Sequence, residues 1–136
     1  MRLYLDSSVI LRVLFREPER LASWDTYTSG FTSALTRIEC LRTIDRLRVQ
    51  GLDEAAAEAI SSQADKTLER LSILAFSDDV LRVASQPFPT AVGTLDALHL
   101  ASALLIKMSQ PNLEFATHDR QLGVAARAMG LTVHGT

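Results

Sequence analysis

Apolar residues in this chain of 136 residues gather in short blocks separated by polar or helix-breaking positions. The blocks alternate between two kinds. RLYL, FTS, LSILAF, LEFAT and LTVH are brief and strand-like, whereas the blocks between them are longer and spaced for helices. RLYL ends at Asp6, and SSVILRVLFRE follows as a helix closed by Pro18. ERLASWDTY predicts a second short helix, broken at Gly30 before the FTS strand. A helix over Ala34–Val49 comes next and stops at Gly51. Asp53 then caps DEAAAEAISSQADKTLERL, which folds back on its predecessor as an antiparallel helical hairpin. Ser77 and Asp78 cap DDVLRVAS, which ends before Pro87 and Pro89. A loop through Gly93 delivers LDALHLASALLI, and after Pro111 come LEFAT, the helix HDRQLGVAARAMG with Gly130 as its C-cap, and LTVH. Strands alternating with helices predict one α/β domain over 1–136, with a mostly parallel central sheet of about five strands covered by helices on both faces.

LDALHLASALLI is apolar all round and predicts a helix buried in the core, yet it carries Asp96 near its start and His99 one turn later. A carboxylate is expensive to bury without a partner. In an open parallel sheet, ligands bind outside the carboxyl ends of the strands, and Asp6 and Asp119 each follow a predicted strand. Taken singly, Asp6 reads as a helix N-cap, Asp119 as a complement to a helix dipole, and Glu39 as an exposed partner of Arg42 or Arg46. Taken together, Asp6, Glu39, Asp96 and Asp119 lie near helix starts that leave one edge of the sheet. Four converging carboxylates repel one another unless a divalent cation neutralises them. Oxygen ligands without cysteine select Mg2+ or Mn2+ over zinc.

Composition narrows the setting. With 47% hydrophobic and 22% charged residues, the chain suits a single globular domain. A net charge of -2 argues against holding nucleic acid by overall positive charge and leaves only local basic patches. Of the 14 basic residues, Lys66 and Lys107 alone are lysines; the arginines suit phosphate and carboxylate equally. A lone Cys40 forms no internal disulfide and reads as a small buried residue, no apolar run approaches the ~20 residues of a membrane span, and the start lacks the pattern of a signal peptide. The expectation is a cytoplasmic protein without membrane association.

LDSS after the first strand, RIEC, GTLDALHLASA and THDRQL occur in that order along the whole chain. Together they resemble the PIN-domain nucleases, most closely the VapC-type toxin ribonucleases of toxin–antitoxin pairs. The resemblance implies a PIN-like three-layer sandwich. It also implies a Mg2+-dependent endoribonuclease, Mn2+ serving as an alternative, in which Asp6, Glu39, Asp96 and Asp119 are both catalytic and metal-binding. Ser7, Ser8 and Thr117 would be polar helpers, and His99 would pack and hydrogen-bond behind Asp96. Arg12, Arg42 and Arg120 are candidates to position an RNA backbone, the substrate being tRNA or rRNA. A small antitoxin and a second copy of the chain are the implied partners, with Val9, Val13, Leu14, Leu21 and Trp24 as a docking surface. A receiver domain would need a lysine after a late strand, and a haloacid-dehalogenase-type phosphatase would need an aspartate where Ser8 stands. The alternative is a non-catalytic PIN-like module that binds RNA or protein.

Overall fold

The computed structural model describes all 136 residues, Met1–Thr136. Five strands, β1 (Arg2–Leu5), β2 (Ser29–Ser33), β3 (Ser72–Leu74), β4 (Leu113–Ala116) and β5 (Val133–His134), form one sheet in the order β3-β2-β1-β4-β5. Every neighbouring pair is parallel. Six helices, α1 (Ser7–Leu14), α2 (Ala34–Val49), α3 (Glu54–Leu68), α4 (Asp78–Ala84), α5 (Thr94–Ser109) and α6 (Arg120–Ala128), provide the crossovers that parallel strands require.

Side chains on a strand alternate between faces, and β1 shows how that period builds the layers. Leu3 and Leu5 enter one core with Val9, Ile10, Cys40, Ile44 and Ala64, contributed by α1, α2 and α3. Tyr4, between them, enters the other with Leu100, Phe115, Leu122 and Ala126, from α5, β4 and α6. Burying each such leucine is worth about 1.5–3 kcal/mol. The result is the three-layer α/β sandwich anticipated from the alternation of blocks.

Strand order fixes where a ligand belongs. From β1 the chain builds outward through β2 to β3, then returns to the opposite side of β1 for β4 and β5. The order therefore reverses between β1 and β4, which makes their carboxyl ends the topological switch point, the place where open α/β sheets bind ligands. Leu5 lies beside Ala116 in register, so Asp6 and Thr117 leave the sheet next to each other. The Asp6 amide still donates to the Ala116 carbonyl at 3.2 Å.

Several local expectations need correction. The segment 19–27 is a run of turns, held by Trp24 N–H to Leu21 O at 3.0 Å and Tyr27 N–H to Ser23 O at 3.1 Å, and forms no helix. α1 stops at Leu14, four residues short of Pro18, and Arg16 and Glu19 take positive φ of 51° and 59° as the chain turns away. Gly30 breaks no helix; it lies inside β2, where an added Cβ would come within 2.5 Å of Leu71 Cδ2 and 2.9 Å of the Tyr27 ring. α5 is not buried all round: Leu100, Ala101 and Ala103 are fully enclosed, but Leu95 is 51% and Met108 81% exposed. Asp96 shares the open first turn of α5 and is only half-buried.

Candidate functional site

Asp6 is the most enclosed acid of the chain, 3% exposed at the switch point. Its Oδ1 accepts from the Ser8 amide at 3.0 Å and the Val9 amide at 3.3 Å, the N-cap role read from the sequence. The same oxygen accepts the Ser8 hydroxyl at 2.5 Å, and Oδ2 accepts the Thr117 hydroxyl at 2.9 Å. Each hydroxyl has one proton to give, and each gives it to Asp6. Ser8 Oγ then accepts from the His118 amide at 2.9 Å, and Thr117 Oγ1 from the Asp119 amide at 2.9 Å. The turn after β4 is thus tied to the turn after β1 through one carboxylate. Burial pushes the Asp6 carboxyl above the usual aspartate range, with the nearby His99 and the bonds from Ser8, Thr117 and Val9 acting the other way. Of the two predicted serine helpers, Ser8 makes the contacts; Ser7 is buried in the first turn of α1 and is not a donor to Asp6.

Glu39, in the second turn of α2, bonds neither Arg42 nor Arg46. Arg42 instead holds Asp45 at 2.5 Å. Glu39 Oε1 meets His99 Nε2 at 2.5 Å, and His99 Nδ1 meets the Tyr4 hydroxyl at 2.7 Å. Tyr4 is 0% and His99 1% exposed. The Tyr4 ring stacks on Phe115 with centroids 5.2 Å apart and meets the imidazole edge-on at 5.9 Å. His99 therefore supports Glu39, and the expectation that it hydrogen-bonds behind Asp96 is corrected. Burial, reinforced by the Asp6 charge, holds the Tyr4 phenol well above its ordinary value, so the hydroxyl keeps its proton. No sequence motif marks Tyr4; it reads as one of the apolar positions of β1.

Asp96 joins the group through charge. Burial raises its pKa first, then repulsion from Asp119, with Asp6 and Glu39 adding to it and His99 opposing; no hydrogen bond acts on the carboxyl. Asp119 spends Oδ1 on the Leu122 amide at 3.0 Å as the N-cap of α6, which leaves its other oxygen unspent on capping. Asp119, Asp6 and Glu39 thus each act on the carboxyl of Asp96, although the four come from four different helix starts. His118 Nδ1 donates to the Gly135 carbonyl at 2.9 Å. Arg12 is spent on the Glu19 carbonyl at 3.2 Å and on Glu17, and Arg120 is the predicted RNA-positioning arginine that joins no ion pair.

The donor set suits a hard divalent cation. It is all carboxylate oxygen, both oxygens of Asp96 and one each of Glu39 and Asp119 are free of the bonds described, and the mutual repulsion felt at Asp96 is what a cation would relieve. No group of three or more His, Cys, Asp or Glu side chains is disposed to hold an ion by itself. The predicted docking surface is mostly core: Val9, Leu14 and Leu21 are buried, and only Val13 and Trp24 remain partly open. Beside Val13 and Leu14, an open groove of about 680 Å³ runs between α1 and α3, lined also by Phe15, Ala56, Ala59 and Ile60.

The PIN domain model matches residues 3–128. The chain is 33% identical over 135 residues to ribonuclease VapC47 of Mycobacterium tuberculosis (strain CDC 1551 / Oshkosh), covering 94% of this chain and 92% of that protein. It is 32% identical over 134 residues to ribonuclease VapC46 of Mycobacterium tuberculosis (strain ATCC 25618 / H37Rv), with 96% and 95% covered. Among solved structures it resembles FitAcB from Neisseria gonorrhoeae, with a TM-score of 0.71 at 20% identity over 96% of this chain and 95% of that one. VapBC2 from Rickettsia felis, bound to a DNA fragment from the promoter, gives 0.68 at 15% identity over 98% and 97%. At such identities the two structures show the fold alone.

Proposed function

The chain belongs to the PIN-domain family, with VapC ribonucleases among its relatives, and on that premise we propose that it is a divalent-cation-dependent endoribonuclease, the toxin of a toxin–antitoxin pair. One observation carries the reading. At the switch point between β1 and β4 a buried Asp6 is fixed by Ser8 and Thr117, and Asp119, Asp6 and Glu39 all act on the carboxyl of Asp96.

Asp6, Glu39, Asp96 and Asp119 would hold Mg2+, or Mn2+ in its place. When bound, such a cation stabilises charge developing on a phosphodiester and makes water beside it more acidic. The protein's own contribution is orientation. Ser8 and Thr117 keep the Asp6 carboxylate in one rotamer, so it needs no reorganisation when substrate arrives. Glu39 and Asp119, each with one oxygen committed elsewhere, present the other to orient or accept a proton from the attacking water. Arg120, free of ion pairs at the start of α6, would meet an RNA phosphate.

The proposal extends to partners and place. The substrate is a structured RNA of the tRNA or rRNA class. A small antitoxin lays an apolar segment in the groove between α1 and α3, and a second copy completes a homodimer. The buried, unpaired Cys40 thiol fits a reducing cytoplasm, and no helix is long and apolar enough to cross a membrane.

The rival reading, a PIN-like module that binds RNA or protein without cutting it, has in its favour that no three side chains are already disposed around an ion. Incubating the purified chain with structured RNA in Mg2+, in Mn2+ and in EDTA separates the two. Cleavage that requires the cation and is lost in Asp96→Asn supports the ribonuclease. RNA binding without cleavage in either metal would transfer the assignment to the rival.

A further inference from the structure

We propose that His99, itself held by Tyr4, is a positioning residue that keeps the Glu39 carboxylate turned toward Asp6 and Asp96. The inference rests on the reading of Glu39 as a carboxylate of the cation site.

A carboxylate only accepts, so the proton between His99 and Glu39 sits on Nε2. In the neutral imidazole Nδ1 is then an acceptor, 2.7 Å from the Tyr4 hydroxyl, which donates to it. The three groups make a directed chain, from Tyr4 O–H to Nδ1 and from Nε2–H to Oε1. Both ring nitrogens are used, and the ring is wedged by the edge-on contact with Tyr4.

A histidine needed only to fill space between α5 and β1 would not require this. A leucine or phenylalanine there would avoid burying polar groups in a core closed to water. The chain of bonds ends on a side chain that needs restraint. Glu39 has a long side chain on a helix rich in arginine, and its charge and that of Asp96 repel each other. Without a donor at position 99, repulsion and rotamer entropy both favour turning Glu39 outward. Groups that orient a metal ligand typically affect metal affinity by about 10–100-fold, although they never touch the ion.

Calorimetric titration of the full chain with Mn2+ tests this. The variants are His99→Phe, which keeps a flat ring without donors, His99→Gln, which keeps an amide donor toward Glu39, Glu39→Gln, and His99→Phe with Glu39→Gln together. His99→Phe is expected to weaken Mn2+ binding by about 10–100-fold, His99→Gln to recover most of that loss, and the double variant to bind no worse than Glu39→Gln alone. Affinity unchanged in His99→Phe, or reduced by the same factor with Glu39 already replaced, overturns the proposal while leaving the ribonuclease reading standing. A parent chain that binds no Mn2+ removes both. If His99→Phe fails to fold, the cycle of Tyr4→Phe with Glu39→Gln reads the same coupling: non-additive losses support the relay, and additive losses overturn it.

Discussion

Replacing Asp96 by asparagine separates a carboxylate kept for a cation from one kept for the fold. In the metal-free protein Asp96 is pressed by burial and by Asp119, Asp6 and Glu39, with no hydrogen bond to compensate. Both Asp96 and Asp6 ionise less readily in the fold than in the unfolded chain. An acid of that kind binds its proton more tightly when folded. Metal-free stability is therefore fullest below the ordinary aspartate pKa and declines as pH rises through the raised value. Asp96→Asn removes one such group, so in EDTA at neutral pH the variant is expected to be at least as stable as the parent. Asp96 is half exposed and screened by solvent, so the gain is under about 1 kcal/mol, or up to about 5 °C in midpoint for a domain of this size. The parent should lose more stability than the variant between acidic and neutral pH. Saturating Mg2+ reverses the order. At a hundred times its dissociation constant the ion adds about 2.7 kcal/mol to the parent, roughly 10 °C, and much less to the variant. RNA cleavage should fall by about 100-fold or more, beyond what an indirect partner of the metal accounts for. Thermal denaturation of both proteins in EDTA and in excess Mg2+, across that pH range, decides the matter. A variant that melts well below the parent in EDTA, by the ~1–3 kcal/mol expected when a buried partner is left unpaired, would refute the reasoning. Equal stabilisation of both proteins by Mg2+ would do the same.

Other expectations probe the fold around the site. Leu100→Ala should cost about 2–5 kcal/mol in chemical denaturation, whereas Leu95→Ala, on the exposed side of the same helix, should stay within about 0.5 kcal/mol; similar costs would contradict the orientation of α5. Gly135 has φ of +94°, and an added Cβ would stand 2.5 Å from the Thr117 carbonyl, so Gly135→Ala should destabilise by about 1–3 kcal/mol and disturb the turn carrying Asp119. Wild-type stability in that variant would show the contact to be slack. Burial pushes the Cys40 thiol up to about 12, so a thiol reagent at neutral pH should label the protein only after denaturant is added. Rapid stoichiometric labelling of the native chain would argue against that buried position.

Much of the architecture was legible in local chemistry. The bounds of α2, the caps at Asp53 and Ser77, and the strand at Leu113–Ala116 follow from capping residues, glycine stops and apolar period, which act over a few neighbours. The four acids could be picked out because each stands at a strand end or near a helix start, and the order of motifs pointed to the family that residues 3–128 match. Long-range packing decided the rest. Glu19–Tyr27 had helical composition, but the positive φ at Glu19 and the close fit of Gly30 under Tyr27 and Leu71 made it a set of turns. All-round apolarity in α5 suggested complete burial; how the helix sits on the sheet buried Leu100 and left Leu95 and Asp96 at its open end. No spacing rule joins Tyr4, Glu39 and His99, which are separated by 35 and 60 positions in the chain. Only parallel pairing in the order β3-β2-β1-β4-β5, with helices packed on both faces, brings the phenol, the imidazole and the carboxylate into one line of hydrogen bonds, because such bonds depend on distance in space and not along the chain.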